Sequence, residues 1–145
     1  MVRTTAFWDA SALVPICMQQ TASAQARANL RKYTPIVWWG TAVEIHSAIS
    51  RAHRHGALND AAKQGALTRL NLLTKGWKEI TPSDALRSLA ENLLDQHSLR
   101  AADSLQLAAA LRWCHQRPAR KTFLCGDQKL NDSAALVGFT VVQFP

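Results

Sequence analysis

Asp9, Glu44, Asp103 and Asp127 are the residues of this 145-residue chain whose types and positions suit chemistry. Asp9 closes the apolar stretch Thr4-Thr5-Ala6-Phe7-Trp8. Asp127 follows Thr122-Phe123-Leu124-Cys125 after one glycine, and Glu44 comes a short turn after Ile36-Val37-Trp38-Trp39. All three stretches read as strands, and open α/β sheets bind ligands at the carboxyl ends of their strands. Asp103 lies in the first turns of a helix in which only Gln106 is polar between Ser104 and Leu111. An ionised carboxylate in so buried a helix is costly unless paired or metal-bound. Four clustered carboxylates repel one another, and a hard divalent cation resolves that conflict. All-oxygen ligation suits Mg²⁺, with Mn²⁺ as a substitute. The chemistry such a site supports is hydrolysis of a phosphate ester by a metal-activated water.

Each acid also has a purely structural reading, which the sequence leaves open. Asp9 and Asp127 are good N-caps for the helices that follow them, and Glu44 completes a Thr41-x-x-Glu44 capping-box pattern. Ser11 reads as an N-cap of the first helix. Asp132 is a fifth acid expected to face solvent.

The elements that must position these residues alternate along the chain. A first strand ends at Trp8, and a helix starts on Ser11 or just after it, with Pro15 in its first turn. Ala22 to Lys32 reads as a second helix. The Ile36–Trp39 run has the continuous apolar character of a strand buried on both faces, and both tryptophans are expected in the core. Thr41 opens a helix with Ile45, Ala48, Ile49 and Ala52 as its apolar stripe, a basic end at Arg51, His53, Arg54 and His55, and a stop at Gly56. His53 and His55 read as a solvated basic patch. Asn59 to Leu73 is helical. Trp77–Ile80 is a weak third strand. Thr81 is expected as N-cap with Pro82 at the first helical position, and Leu86, Leu89, Leu93 and Leu94 as the buried face of that helix. Ala101–Cys114 is the buried helix. Thr122–Cys125 is a fourth strand, Gln128 to Leu136 a short helix, and Phe139–Phe144 the last strand. This alternation predicts right-handed βαβ units: an α/β domain with a parallel four- to five-stranded sheet and helices on both faces. No linker or repeat divides it, so residues 1–145 are expected to form one domain.

Composition narrows the function. Seventeen Lys and Arg against ten acids give a formal net charge of +7, which favours a polyanionic partner. If four of the ten acids gather in one site, six remain to face the seventeen basic residues. No apolar run reaches the roughly 18 residues of a membrane span, and no secretory signal is legible. The three cysteines, Cys17, Cys114 and Cys125, have no CxxC spacing, which fits reduced thiols in a cytoplasmic protein better than disulfides or zinc. There is no GxGxxG, P-loop or HExxH, and no legible Ser-His-Asp arrangement. Trp77 and Trp113 are expected to be core.

Four ordered segments resemble those of the PIN-domain nucleases, and among them the VapC-type toxins: Phe7-Trp8-Asp9-Ala10-Ser11-Ala12-Leu13, Thr41-Ala42-Val43-Glu44-Ile45, Arg100 to Ala110 around Asp103-Ser104-Leu105, and Thr122 to Leu130 ending in Cys125-Gly126-Asp127-Gln128-Lys129-Leu130. The resemblance spans nearly the whole chain. Ser104, where alanine is common, and the small Gly126 depart from it. It implies a single PIN-like domain with Asp9, Glu44 and Asp103 as metal ligands or their close supports. It also implies Asp127 completing the quartet, often through water, and Ser11 in support. The function implied is a Mg²⁺-dependent endoribonuclease, the toxin of a type II toxin–antitoxin pair. Its partners would be an RNA substrate, a small antitoxin and a second copy of the chain. Leu13, Ile16 and Met18 are candidate lining for an antitoxin groove. Arg51, Arg54, Arg100 and Lys129 flank the acidic segments and are candidate phosphate contacts.

Three other readings are carried alongside. One is a PIN-type RNA-processing nuclease without an antitoxin. Another is an acidic-pocket phosphatase or receiver-like signalling domain; it wants Asp-x-Asp after the first strand, or an aspartate after the third, where this chain has Asp9-Ala10-Ser11 and Ile80-Thr81-Pro82. The last is a non-catalytic nucleic-acid binder whose acids are only caps.

Overall fold

A computed structural model describes residues 3–145. The elements are β1 (Thr4–Trp8), α1 (Ala10–Cys17), α2 (Ser23–Lys32), β2 (Tyr33–Trp38), α3 (Thr41–Arg54), α4 (Asp60–Gly76), β3 (Lys78–Ile80), α5 (Asp84–Gln96), α6 (Ala101–Trp113), β4 (Thr122–Cys125), α7 (Gln128–Val137) and β5 (Thr140–Gln143). The five strands form one parallel sheet in the order β3-β2-β1-β4-β5. The chain builds outward from β1 through β2 to β3, then crosses back to place β4 on the other side of β1. The strand order therefore reverses between β1 and β4. That is the position at which a crevice opens at the carboxyl ends of an α/β sheet.

The period-2 alternation of β1 feeds two separate cores. Ala6 and Trp8 join Leu13, Val37, Ile45, Ile49, Leu124 and Phe144 under α1, α3 and α4. Phe7 joins Ile36, Leu86, Leu93, Leu107, Phe123 and Leu130 under α5, α6 and α7. Phe7, Trp8 and Phe123 have no exposed surface, and full burial of each contributes roughly 3 kcal/mol before entropy costs. Phe7 and Phe123 stack with ring centroids 5.5 Å apart, clamping β1 to β4. Gly138 ends α7 at φ 118°, a conformation that favours glycine.

Several expectations need correction. The first helix starts at Ala10, capped by Asp9, so Ser11 is not the cap and Pro15 lies inside the helix. A proline there has no N–H to donate to the Ser11 carbonyl, so that turn of the helix is one hydrogen bond short. The Thr41/Glu44 capping box does not form. Gly40 is the N-cap, α3 begins on Thr41, and the Glu44 side chain turns elsewhere. Ser83, not Thr81, caps α5 through a hydrogen bond from Leu86 N. Leu94 is 41% exposed, its place in the α5 stripe being taken by Ala90. Trp38 is buried, but Trp39 is 55% exposed, because β2 ends at Trp38 and no helix covers the next residue. His53 is partly buried and bonded to Asp60 at 2.7 Å. Trp77 is buried as expected, whereas Trp113 is only half-buried, packed against the edge of the core.

Candidate metal centre

Asp9 follows β1 at the centre of the sheet and is 5% exposed. Its Oδ2 accepts from Ser11 N at 3.0 Å, Ser11 Oγ at 2.5 Å and Cys125 Sγ at 3.6 Å. The same Ser11 Oγ accepts from Gly126 N at 2.8 Å. One hydroxyl thus ties the end of β1 to the end of β4, and Ser11 holds the Asp9 carboxylate rather than capping α1. Burial raises the Asp9 carboxyl above its ordinary range, and the Ser11 hydrogen bonds oppose that rise.

Glu44 reaches the crevice from the first turns of α3. Its Oε2 accepts from Gln106 Nε2 at 2.9 Å, and the same amide donates to Thr41 Oγ1 at 3.1 Å. Burial, reinforced by the Asp9 charge, pushes the Glu44 carboxyl up from 4.5 to about 7. Asp103, half-buried at the start of α6, accepts from Arg100 N at 3.4 Å. Its carboxyl is raised first by burial and then by the charge of Asp127. Asp127 caps α7 through Leu130 N at 3.2 Å. The cap readings of Asp9 and Asp127 are therefore correct as far as they go. A carboxylate that accepts one or two amide bonds still has lone pairs to offer.

Asp9, Glu44, Asp103 and Asp127 all line one pocket of about 350 Å³, with Ala10, Ser11, Val14, Gln20, Ala48 and Arg51. No two of the acids lie on opposite edges of the sheet. Among the described residues, none of the four forms an ion pair: the two that occur are His53–Asp60 and Arg87–Asp84. The cluster thus has no basic side chain to neutralise it at contact distance. No three acid, histidine or cysteine groups among the described residues stand close enough to enclose an ion as placed. The donor chemistry nevertheless suits a hard cation. The set is all oxygen, it carries excess negative charge, and burial has already lifted three of its members towards neutrality.

The cations are distributed less evenly than expected. Arg51 lines the pocket, two turns beyond Glu44 on the same face of α3. Arg54, Arg100 and Lys129 are exposed and do not line it. Arg100 acts on the site differently, holding Asp103 through its backbone N–H. Asp132 faces solvent and bonds Gln128 at 2.7 Å. Leu13 is fully buried in the core and cannot line a groove, whereas Ile16 lines an apolar cleft with Leu30, Leu72 and Leu73. Met18 is half-buried against the same core as Leu13.

Two residues beside the acids escaped the sequence reading as site residues. Gln106 has no exposed surface and holds Glu44. Its signal was present, as the single polar side chain in an apolar helix. Cys125 is a buried thiol that packs on Asp9 and accepts from Asp127 N at 3.2 Å. Nothing in its apolar strand context announces that contact.

By sequence, the chain matches no family model and no curated protein. By structure it is similar to several solved proteins. A chain of a toxin–antitoxin complex from Klebsiella pneumoniae superposes with a TM-score of 0.61 at 16% identity, over 86% of this chain and 88% of that one. VapBC2 from Rickettsia felis, solved bound to a DNA fragment from their promoter, gives 0.67 at 11% identity, over 98% and 100%. FitAcB from Neisseria gonorrhoeae gives 0.63 at 13% identity, over 94% and 97%. The fold is PIN-like. A PIN-like fold leaves the chemistry to the site itself, and in this chain the site is the crevice at the β1–β4 reversal.

Proposed function

We propose that the chain is a Mg²⁺-dependent endoribonuclease and the toxin of a toxin–antitoxin pair. The observation that carries this is the convergence of Asp9, Glu44, Asp103 and Asp127 on one pocket without a neutralising ion pair. Asp9 and Asp127 contribute as helix caps, but capping does not require four carboxylates in one pocket, where they repel one another; a ligand that needs them gives the arrangement a purpose. The structural neighbours, one of them solved as a toxin–antitoxin complex, support the toxin role and an antitoxin partner. The +7 charge supports a polyanionic substrate. A homodimer and a cytoplasmic location belong to the same reading. Among the described residues no helix is long and apolar enough to cross a membrane.

Asp9, Glu44 and Asp103 are the residues that would hold the cation, with Asp127 completing the set. When bound, it supplies activation of a water and neutralisation of charge on a phosphate. The remaining roles fall to the chain. Ser11 fixes the Asp9 carboxylate through two hydrogen bonds, and Gln106 fixes Glu44. Holding a cation requires the carboxylates to rotate inward, and the half-exposed Asp103 and Asp127 have room to do so. Arg51, on the pocket wall, is placed to bind a phosphate oxygen and orient the scissile bond. Cleavage leaves 5′-phosphate and 3′-hydroxyl ends.

The deciding experiment is cleavage of RNA by the purified protein with Mg²⁺, with EDTA and by Asp9→Asn. Activity is expected with Mg²⁺ alone, and cleavage persisting in EDTA or in the variant overturns the reading.

A further inference from the structure

The carboxyl edge of the sheet carries a second recess beside the acidic pocket. It is lined by Trp38, Pro82, Ser83, Asp84, Leu86, Arg87 and Leu105, with a volume of about 300 Å³. That size suits one flat ring system, at the low end of small-ligand pockets. Its place relative to the acids is fixed by strand register. Phe7 pairs with Ile36, so Asp9 is level with Trp38 on the adjacent strand. Neighbouring strands lie about 4.8 Å apart, so Trp38, one wall of the recess, stands on the strand next to Asp9. Helix α6 stands between the two sites: Asp103 lines the acidic pocket on one face, and Leu105, two residues on, lines the recess on another.

The aromatic groups at this point are unusual for a protein surface. Trp38 forms a wall, held against Gly40, where a Cβ would come within 2.6 Å of its Nε1. The glycine is what lets the indole lie across the turn. Trp39 stands edge-on to it at 6.3 Å and is 55% exposed, and Val43 on the first turn of α3 is 70% exposed. In the chain, exposed Trp39 and Val43 fall between Trp38 of the recess and Glu44 of the acidic pocket. Cations complete the setting, with Arg87 at the recess and Arg51 at the acids.

We propose that this recess, with Trp39 at its edge, is a nucleobase subsite for the single-stranded nucleotide adjoining the scissile phosphate. The inference rests on the ribonuclease reading and adds a determinant of cleavage position to it. An indole face exposed beside a phosphate-cleaving pocket is suited to stacking on a base, an interaction that tolerates any sequence. Arg87 and the exposed Ser83 and Asp84 offer donors and acceptors at the mouth, from which a preference among bases can arise.

The test measures binding of a fluorescein-labelled single-stranded RNA in EDTA, by anisotropy, to the wild-type chain, Trp39→Ala and Trp39→Phe. A matched set of RNAs carries an abasic nucleotide at each position in turn. Cleavage by the wild type with Mg²⁺ locates the cut bond. One abasic position within a nucleotide or two of the cut is expected to weaken wild-type binding by about 5- to 100-fold, the range of a single stacked base. Trp39→Ala is expected to bind intact RNA weaker by a similar factor and to lose discrimination at that position, whereas Trp39→Phe retains both. A Trp39→Ala chain that binds and discriminates like the wild type overturns the subsite and leaves the ribonuclease reading standing. So does a change in oligomeric state of Trp39→Ala with discrimination intact, because the occupant is then a second copy of the chain. A wild-type chain that neither binds nor cuts RNA overturns both readings.

Discussion

Neutralising Glu44 should stabilise the metal-free protein at alkaline pH, and the size of the effect follows from where that carboxyl sits. In the unfolded chain it titrates near its ordinary 4.5, and in the fold burial and the Asp9 charge raise it to about 7. Between those values the folded state keeps a proton that the unfolded state has released. Stability therefore falls as pH rises from 4.5 to about 7, and stays lowered above that window. At about 1.36 kcal/mol per pH unit the ceiling is about 3 kcal/mol. Because Glu44 is partly solvent-exposed, screening by water reduces this to about 1–2 kcal/mol. Glu44→Gln removes the charge, keeps the shape, and leaves an amide oxygen to accept from Gln106 Nε2. In urea unfolding with EDTA at pH 8, the variant should be about 1–2 kcal/mol more stable than the wild type, and the gap should close at pH 4. Millimolar Mg²⁺ at pH 8 should raise the wild type and leave the variant nearly unmoved, since a ligand stabilises the state that binds it. A variant no more stable than wild type at pH 8 in EDTA, or one equally displaced at pH 4, refutes the strained-carboxylate reasoning.

Three further outcomes are expected. Gln106→Leu removes the donor that orients Glu44 and an unsatisfied buried Oε1 with it; folding stability should change little, while the Mg²⁺ needed for half-maximal cleavage rises about 10- to 100-fold. Ser11→Ala breaks the link between Asp9 and Gly126 and should cost about 1–3 kcal/mol in thermal or urea unfolding. The thiols of Cys17, Cys114 and Cys125 are all buried, and burial pushes each above its ordinary range, Cys17 to about 11. Ellman's reagent at pH 8 should find almost no reactive thiol in the native protein and three in urea.

Spacing and residue type along the chain were enough to determine the alternation of strands and helices, the parallel sheet, and the four acids that converge. These are local properties. The β-prone runs, the capping residues and the apolar period act within a few positions of themselves, and a carboxylate directly after a strand goes wherever that strand ends. Only the tertiary structure decided what each acid touches. Thr41-x-x-Glu44 reads as a capping box, but packing of α3 against the sheet turns Glu44 inward to Gln106, 62 positions away. Ser11 reads as a cap until β4 arrives beside β1 and gives its hydroxyl Gly126 N, 115 positions away. Trp38 and Trp39 are identical in sequence terms, yet one lies beneath α5 and α6, and the other, whose N–H closes the ladder to Ile80 O, has a side chain that nothing covers. Arg51 and Lys129 are alike as charges beside acidic segments, and only the direction of their helices puts one on the pocket wall and the other in solvent. Contacts between distant segments depend on which elements become neighbours. That is set by the order β3-β2-β1-β4-β5, which no local pattern specifies.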